Sequence, residues 1–463
     1  MSFLLFKSMD EERKHILKDN LRVLLLKFSY PAVIGMVISA LYNFVDAIFV
    51  GNGVGPIAIA ALTIVLPIQI IMMAIGFMIG VGSASIISRS LGANKKDAAI
   101  ITAGNGILLN LVLSVVVMIP TYIFMDDLLM FFGASNDVLP YAKDYTQIIL
   151  IGFIFFSFGI CSNIIIRAEG KPRAAMYPII VGAVLNIILD PIFIFVFKMG
   201  VRGVAIATII SQIVVSIYII IYFMSKKSIF SFKLKMFKLK GKVIKNILII
   251  GFPSFLMASI DSVIFIVFNR AVLYYGSDLY IAVIGIGIRI FDLTFMPILG
   301  ISHGFSTIVS FNYGAKFYSR VKKVFGEAVI WTTLIACVAF IIMMFFPGVL
   351  LSLFSSDREL IASGITPLRI IVILFPTLGI TIIGGSFFQA IGKALPATII
   401  TLSRQLLFLL PAIFILPLLF DLNGVWLSWP VSDFLALLVT GIFVLREVSI
   451  INKSLETETC RIA

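Results

Sequence analysis

Acidic residues are scarce in this chain. Of its 463 residues 23 are Asp or Glu, against 36 Lys and Arg, and charged residues of both signs make up only 13%. A chain so poor in charge is not a solvated, disordered polypeptide, which needs high charge and low hydrophobicity. Chemistry-bearing side chains are few as well. The two histidines, His15 and His303, form no HExxH pattern, and Cys161, Cys337 and Cys460 have no metal or redox spacing. No glycine-rich loop ends in the lysine that cradles phosphates, so ATP is not held in that manner. No paired His, Cys or Ser spacing suggests a membrane-embedded transferase or protease, and no enzymatic activity or cofactor is expected. A cleavable signal peptide is not expected either. Residues 7–27 carry Lys7, Arg13, Lys14, Lys18, Arg22 and Lys27, with no small-residue cleavage site after a short apolar core.

What fills the chain is apolar. Hydrophobic residues make up 60% and the mean hydropathy is +1.13. Ordinary soluble domains are about 45–50% apolar, so the excess implies a protein that crosses a membrane many times. A helical span needs about 20 apolar residues. Twelve windows qualify, at 30–50, 57–83, 100–123, 145–166, 174–197, 203–224, 247–270, 280–310, 324–347, 366–389, 396–419 and 424–446. The runs are continuous rather than alternating, which predicts helices and not barrel strands.

The formal charge of +13 does not signal nucleic-acid binding, because of where the bases lie. Alternate connections are basic: Arg89 to Lys96, Arg167 to Arg173, Lys226 to Lys245, and Lys316 to Lys323. The others are neutral or acidic, as at Asp126-Asp127 to Asp144, Asp357 to Glu359, and Asp421. Basic loops stay on the cytoplasmic side. This alternation predicts that both termini are cytoplasmic, and the expected location is the plasma membrane, among lipids.

The longest polar connection, Ser225 to Lys245, lies near the middle. Sliding the second half back by 222 residues aligns Pro31 with Pro253, Gly82 with Gly304, and Ser88 with Ser310. It also aligns Gly92-Ala93 with Gly314-Ala315, Gly104 with Gly326, and Ala168-Glu169-Gly170-Lys171 with Ala390-Ile391-Gly392-Lys393 in all but one position. Six spans per half give both halves the same orientation, a parallel internal repeat of the kind found in transporters. The expected organisation is an all-α membrane protein of two six-helix bundles. Residues 1–27 form a lead-in, 28–224 the first lobe, 225–246 a basic linker, 247–446 the second lobe and 447–463 a tail.

Acids inside the spans stand out. A carboxylate costs roughly 2.5–3.5 kcal/mol at the centre of a membrane helix even on insertion scales, so it persists there with a partner, an ion or a water path. Counted from the outer loops at about 1.5 Å per residue, Asp46, Asp190 and Thr208 fall about 8–12 Å inside the outer face. Asn186 and Asp190 are four apart and share a helical face. Two carboxyls, a carboxamide and a hydroxyl suit a small hard cation such as Na⁺. Two close carboxyls can instead share a proton, since both do not easily stay ionised. Asp46, Asn186, Asp190 and Thr208 are therefore candidate cation-coupling residues and a candidate Na⁺ site. Asp261 is a second-lobe candidate at similar depth. Arg404 in the eleventh window is matched with Asp433, and Glu169 reads as part of a cytoplasmic turn. Met72 and Met73, with Phe158, offer flexible thioethers and ring faces that suit flat organic cations. With Tyr42, Asn43 and Asn163 they are candidate walls of a substrate cavity. Apolar helices with acids at matched depth point to a machine that moves something across the bilayer.

Several stretches carry a family resemblance. Pro31 with the run Tyr42-Asn43-Phe44-Val45-Asp46-Ala47-Ile48-Phe49-Val50-Gly51 resembles the first-helix signature of the MATE (multidrug and toxic-compound extrusion) family. Leu185 to Pro191, Gly251-Phe252-Pro253 followed by Asp261, Phe311 to Ala315, and Gly424-Val425-Trp426 with Pro430 and Ser432-Asp433 also fit. The likeness extends over residues 25–446. It implies two six-helix bundles arranged as a V that opens alternately to either side. It also implies export of organic cations and amphipathic drugs in exchange for H⁺ or Na⁺ by a single chain. Asp46, Asn186, Asp190 and Thr208 match the first-lobe cation site of such relatives, and Asp261 matches the second-lobe acid of some. The tenth-helix acid that others pair with it has no counterpart here. The rival from the same superfamily is a lipid-linked oligosaccharide flippase, which should carry a cationic cavity for diphosphate headgroups. Here pathway acids outnumber pathway bases.

Overall fold

The computed structural model describes residues 13–54, 56–230, 238–354 and 357–462. The side chains of Asn43, Phe44, Ala47, Gly51, Asn52, Pro56, Ile59, Ser262, Asp278 and those beyond Lys453 lie outside the description, as do residues 1–12 of the lead-in. The described residues are helical almost throughout. In chain order the long helices are α1 (Leu21–Gly53), α2 (Pro56–Gly92), α3 (Lys96–Ile123), α4 (Leu139–Ala168), α5 (Pro172–Pro191) and α6 (Gly200–Met224). They continue with α7 (Gly241–Tyr275), α8 (Asp278–Gly314), α9 (Tyr318–Phe345), α10 (Arg358–Ile371), α11 (Leu378–Ile391), α12 (Ala394–Ile415) and α13 (Pro417–Ile462). Among the described residues eleven helices are long and apolar enough to cross a membrane. The count reaches twelve when α10 and α11, bent by 44° at the Pro376 turn, are taken as one span. Proline has no N–H for the helix ladder and clashes with the preceding turn, which accounts for that break. The twelve expected windows thus each meet a helix. The basic linker ends earlier than expected, because α7 already begins at Gly241, and the tail continues α13 as helix.

The chain divides into two compact units. One holds Ile34–Ala258 with the stretch ending at Lys18, and the other holds Asp19–Val33 with everything from Ser259. The division differs from the expected lobes at the first helix of each half. Residues 19–33 of α1 belong to the second unit, and residues 241–258 of α7 to the first. Glycine explains both assignments. A Cβ on Gly251 would fall 1.8 Å from the Met78 carbonyl oxygen, and one on Gly82 would fall 2.0 Å from that of Ile247. A Cβ on Gly300 would fall 2.4 Å from Val33 Cγ2, and one on Gly304 2.6 Å from Ser29 Oγ. Small residues let helix backbones approach this closely, and in lipid such packing is a main source of helix association. Matched bonds recur at the repeat offset: Ser88 Oγ donates to Ala168 O at 2.8 Å, and Ser310 Oγ to Ala390 O at 2.9 Å.

The first unit also grips the connection between α6 and α7. Asn105, fully buried, donates to Lys238 O and accepts from Lys240 N. At the other end, Tyr222 and Ser228 donate their hydroxyls to Glu169 Oε2 at 3.2 Å each, and Ile229 donates its backbone N–H to Oε1. Glu169 sits in the expected turn, but its side chain is 1% exposed. Burial pushes its carboxyl up to about 8, against the pull of the three donors.

Two outcomes are expected. Gly82→Ala or Gly251→Ala should cost about 1–3 kcal/mol by overpacking, read as a lower melting temperature. Gly285→Ala and Gly441→Ala, where a Cβ meets nothing within 4 Å, should be neutral or stabilising by up to about 1 kcal/mol. Glu169 titrates near 4.5 when free and near 8 when folded, so the folded state binds the extra proton between those values. Its stabilising contribution is full below about 4.5 and gone once pH passes about 8. Tryptic cleavage within Lys226 to Lys245 should therefore accelerate more from pH ~6 to ~9 in wild type than in Glu169→Gln. An identical pH response of the two proteins would refute this account.

Candidate ion and substrate site

Asp46 and Asp190 meet in the first unit. α5 ends at Pro191, directly after Asp190, and a π-helical turn follows at Ile192–Val196. The missing proline N–H breaks the α ladder, and π turns of this kind often mark functional sites. The widened turn docks the outer end of α1. Phe49 and Phe195 make an edge-to-face pair at 6.3 Å, and a Cβ on Gly53 would fall 2.2 Å from Ile194 Cγ2. That docking sets the depth of Asp46 against Asp190, and the two carboxyl groups lie within hydrogen-bonding reach of each other. Asn186, one turn earlier on α5, donates Nδ2 to Asp190 Oδ1 at 3.2 Å.

Asn186 and Asp190 are 3% and 1% exposed. Even so, Asp46 Oδ1, Asn186 Oδ1 and Asp190 Oδ2 have no hydrogen-bond partner. A buried polar atom without a partner costs about 1–3 kcal/mol. Three acceptors so placed call for a proton, a water or a cation. Thr208, on α6, is half-buried and spends its proton on Val204 O of its own helix at 3.0 Å. Its hydroxyl oxygen keeps lone pairs, but no bond joins it to the acids among the described contacts.

Sequence reasoning missed Tyr145 on α4. Its ring lies within electrostatic reach of both acids, as does Tyr42, one turn before Asp46. Tyr145 is 4% exposed and takes a hydrogen bond from Gln69 of α2 at 3.3 Å. A tyrosine beside Lys143-Asp144 at the end of a span reads as an interfacial anchor, so the sequence held no signal for its inward position. The group Asp46, Asp190, Asn186, Tyr42, Tyr145 and Gln69 draws on four helices.

The expected cavity residues separate into two kinds. Tyr42 and Met73 are half-buried. Met72 and Phe158 pack in the interior, and Asn163 is fully occupied, donating to Ala175 O and accepting from Arg167 Nη2 at 2.8 Å. Asn43 lies on α1, with its side chain outside the described residues.

Asp261 is on the second-unit part of α7 and takes a hydrogen bond from Gln405 of α12. The expected Arg404–Asp433 pair is present, with Nε to Oδ1 at 2.7 Å. Among the described residues no three His, Cys, Asp or Glu side chains form a metal cluster. This leaves mixed carboxyl, amide and hydroxyl oxygens as the ion-binding chemistry on offer.

Known proteins share this architecture. A family model, MatE, matches residues 31–192 and again residues 253–415. The Multidrug export protein MepA of Staphylococcus aureus is 27% identical over 435 residues, 94% of this chain and 96% of that protein. Its namesake in Staphylococcus haemolyticus is 28% identical over 449 residues, 96% and 98% of the two chains. A solved structure of a multidrug resistance MATE family transporter of the MOP superfamily, in an outward-facing conformation, is 27% identical. It has a TM-score of 0.90 and covers 95% of this chain and 98% of its own. A MOP superfamily transporter from Pyrococcus furiosus, for which reverse polarity of the binding pocket suggests a different function, is 27% identical with a TM-score of 0.89 over 95% and 98%. Two matches to one model that together take in most of the chain decide its class: it belongs to the MatE family, as a multi-span membrane transporter of the MOP superfamily and not an enzyme.

Proposed function

We propose that this transporter is a multidrug efflux antiporter. It exports organic cations and amphipathic drugs in exchange for H⁺ or Na⁺, by alternating access. The observation that carries the reading is the set of three unpartnered buried oxygens on Asp46, Asn186 and Asp190. A proton bridging the two carboxyls, or a cation held by these oxygens, would satisfy them, and Thr208 Oγ is a candidate fourth ligand. Export by the staphylococcal relatives named above supports the substrate class.

Binding of the ion changes the charge at the contact between α1 and α5. It acts on the transport cycle only through a difference in affinity between two conformations, since equal affinity shifts nothing. The π turn of α5 is the element that such a change would reshape, because Pro191 already denies it a continuous ladder. Tyr42 and Met73 are proposed to face the substrate, with Met72 and Phe158 packed behind them. The drug-facing chemistry is then aromatic and thioether surface next to a negative site, which suits flat cations.

The recurrence of the family model in each half, together with the two serine bonds at matched offset, supports two related six-helix bundles. The basic loops support cytoplasmic termini in the plasma membrane. Since one chain holds both halves, the proposed working unit is a monomer.

The test is ethidium efflux from reconstituted vesicles under an imposed pH gradient, then under an imposed Na⁺ gradient. Asp46→Asn and Asp190→Asn should each reduce gradient-driven efflux ~10-fold or more, the scale of a coupling energy of about 1–3 kcal/mol, while remaining inserted and folded. Wild-type rates in both variants would remove the site. If neither gradient moves ethidium or other organic cations, the lipid-linked oligosaccharide flippase becomes the reading to pursue.

A further inference from the structure

The second unit treats its buried acids differently. Asp433 of α13 is 4% exposed and lies 2.7 Å from Arg404 Nε. The guanidinium carbon stands 5.8 Å from the centre of the Trp429 ring. Gln405, the next residue, gives a side-chain N–H to Asp261, and Asp261 lies within electrostatic reach of Arg404. Arg404 and Gln405 both project from the π-helical turn Ser403–Leu409 of α12. Gln405 is 6% exposed, and its Oε1 has no partner.

Two carboxyls, a buried unpartnered amide oxygen and an indole face are the groups that hold a monovalent cation. Carboxyl and carbonyl oxygens suit hard ions, and ring faces attract positive charge. The cluster already has its cation, attached to the backbone. A guanidinium stays charged at any physiological pH; here its Nε is bonded to Asp433, and its buried Nη2 has no partner. It also has no way to leave. In the first unit the corresponding oxygens on Asp46, Asn186 and Asp190 are open, and no basic side chain is bonded to them among the described contacts.

We infer that Arg404 is a specificity-determining residue, a tethered cation that permanently occupies the place an exchangeable cation would take beside Asp433 and Asp261. Ion exchange is thereby left to the first unit. The inference deepens the coupling proposed at Asp46 and Asp190 and rests on it.

The test is thermal unfolding of the full chain carrying Asp46→Asn and Asp190→Asn, so that the first unit contributes no cation response. With Arg404 intact, neither Na⁺ nor methylguanidinium at millimolar concentration should shift the melting temperature. Arg404→Ala should lower it, and methylguanidinium should restore it saturably. Adding Asp433→Asn should abolish the restoration. An Arg404→Ala protein that folds and ignores methylguanidinium overturns the inference. So does a Na⁺ response with Arg404 intact that disappears on Asp261→Asn. If Arg404→Ala does not fold, Arg404→Lys keeps a tethered charge and should remain silent to Na⁺, and a saturable response there is equally fatal. Gradient-driven efflux surviving in the Asp46→Asn/Asp190→Asn protein would count against first-unit coupling instead, because the methylguanidinium arm reads the second unit alone.

Discussion

Holding an acid in hydrocarbon is expensive, and in this protein two groups of side chains meet that cost in opposite ways. In the first unit, the Asp46 and Asp190 carboxyls face each other, Asn186 donates to Asp190, and three oxygens are left open. In the second, Asp433 is closed by Arg404, and Asp261 is tied to Gln405. Taking one partner from a buried ion pair leaves an uncompensated charge, a loss of about 3–5 kcal/mol. The second arrangement is therefore suited to permanence and the first to exchange. A transporter needs a site whose occupancy can change, and open oxygens are what the proposed site offers.

The positions of those acids depend on small irregularities in otherwise continuous helices. Pro191 follows Asp190 and ends the α ladder, and the π turn after it receives Phe49 and Gly53 of α1. Arg404 and Gln405 occupy a second π turn, in α12. The first turn presents Ile194 and Phe195 to α1, and the second carries Arg404 and Gln405 toward the acids of neighbouring helices. Glycines do the complementary work of closing distance: Gly82 and Gly251, and Gly300 and Gly304 of α8 against Val33 and Ser29 of α1, bring backbones together where a Cβ has no room.

Connections are also more than tethers. The segment leaving α6 is held by Glu169 at Ser228 and Ile229 and by Asn105 at Lys238 and Lys240. Both anchors are buried polar side chains satisfied by the segment they hold. A basic, polar stretch that reads as a free linker is thus fixed at both ends to the first unit, and one anchor is a carboxyl that burial pushes up to about 8.

The span pattern was legible because lipid imposes it. Every backbone group in hydrocarbon must be satisfied within its own helix, so length and hydropathy alone locate the helices. The same cost made Asp46, Asp190 and Asp261 conspicuous, and helical periodicity put Asn186 beside Asp190. The Arg404–Asp433 pair followed from the rule that a buried charge finds a partner. Other features depend on which helix faces which, and neither composition nor period encodes that. Tyr145 turned inward, Met72 and Phe158 went into packing, Asn163 was taken up by Ala175 and Arg167, and Glu169 proved buried within a turn. The start of each half's first helix joined the other unit because glycines admit a close crossing there. By itself the sequence determined the helices and the unusual acids, since both follow from the local cost of polar groups in lipid. Only the tertiary structure decided which acids stay open and which are closed by an arginine, since that is set by contacts between residues far apart in the chain.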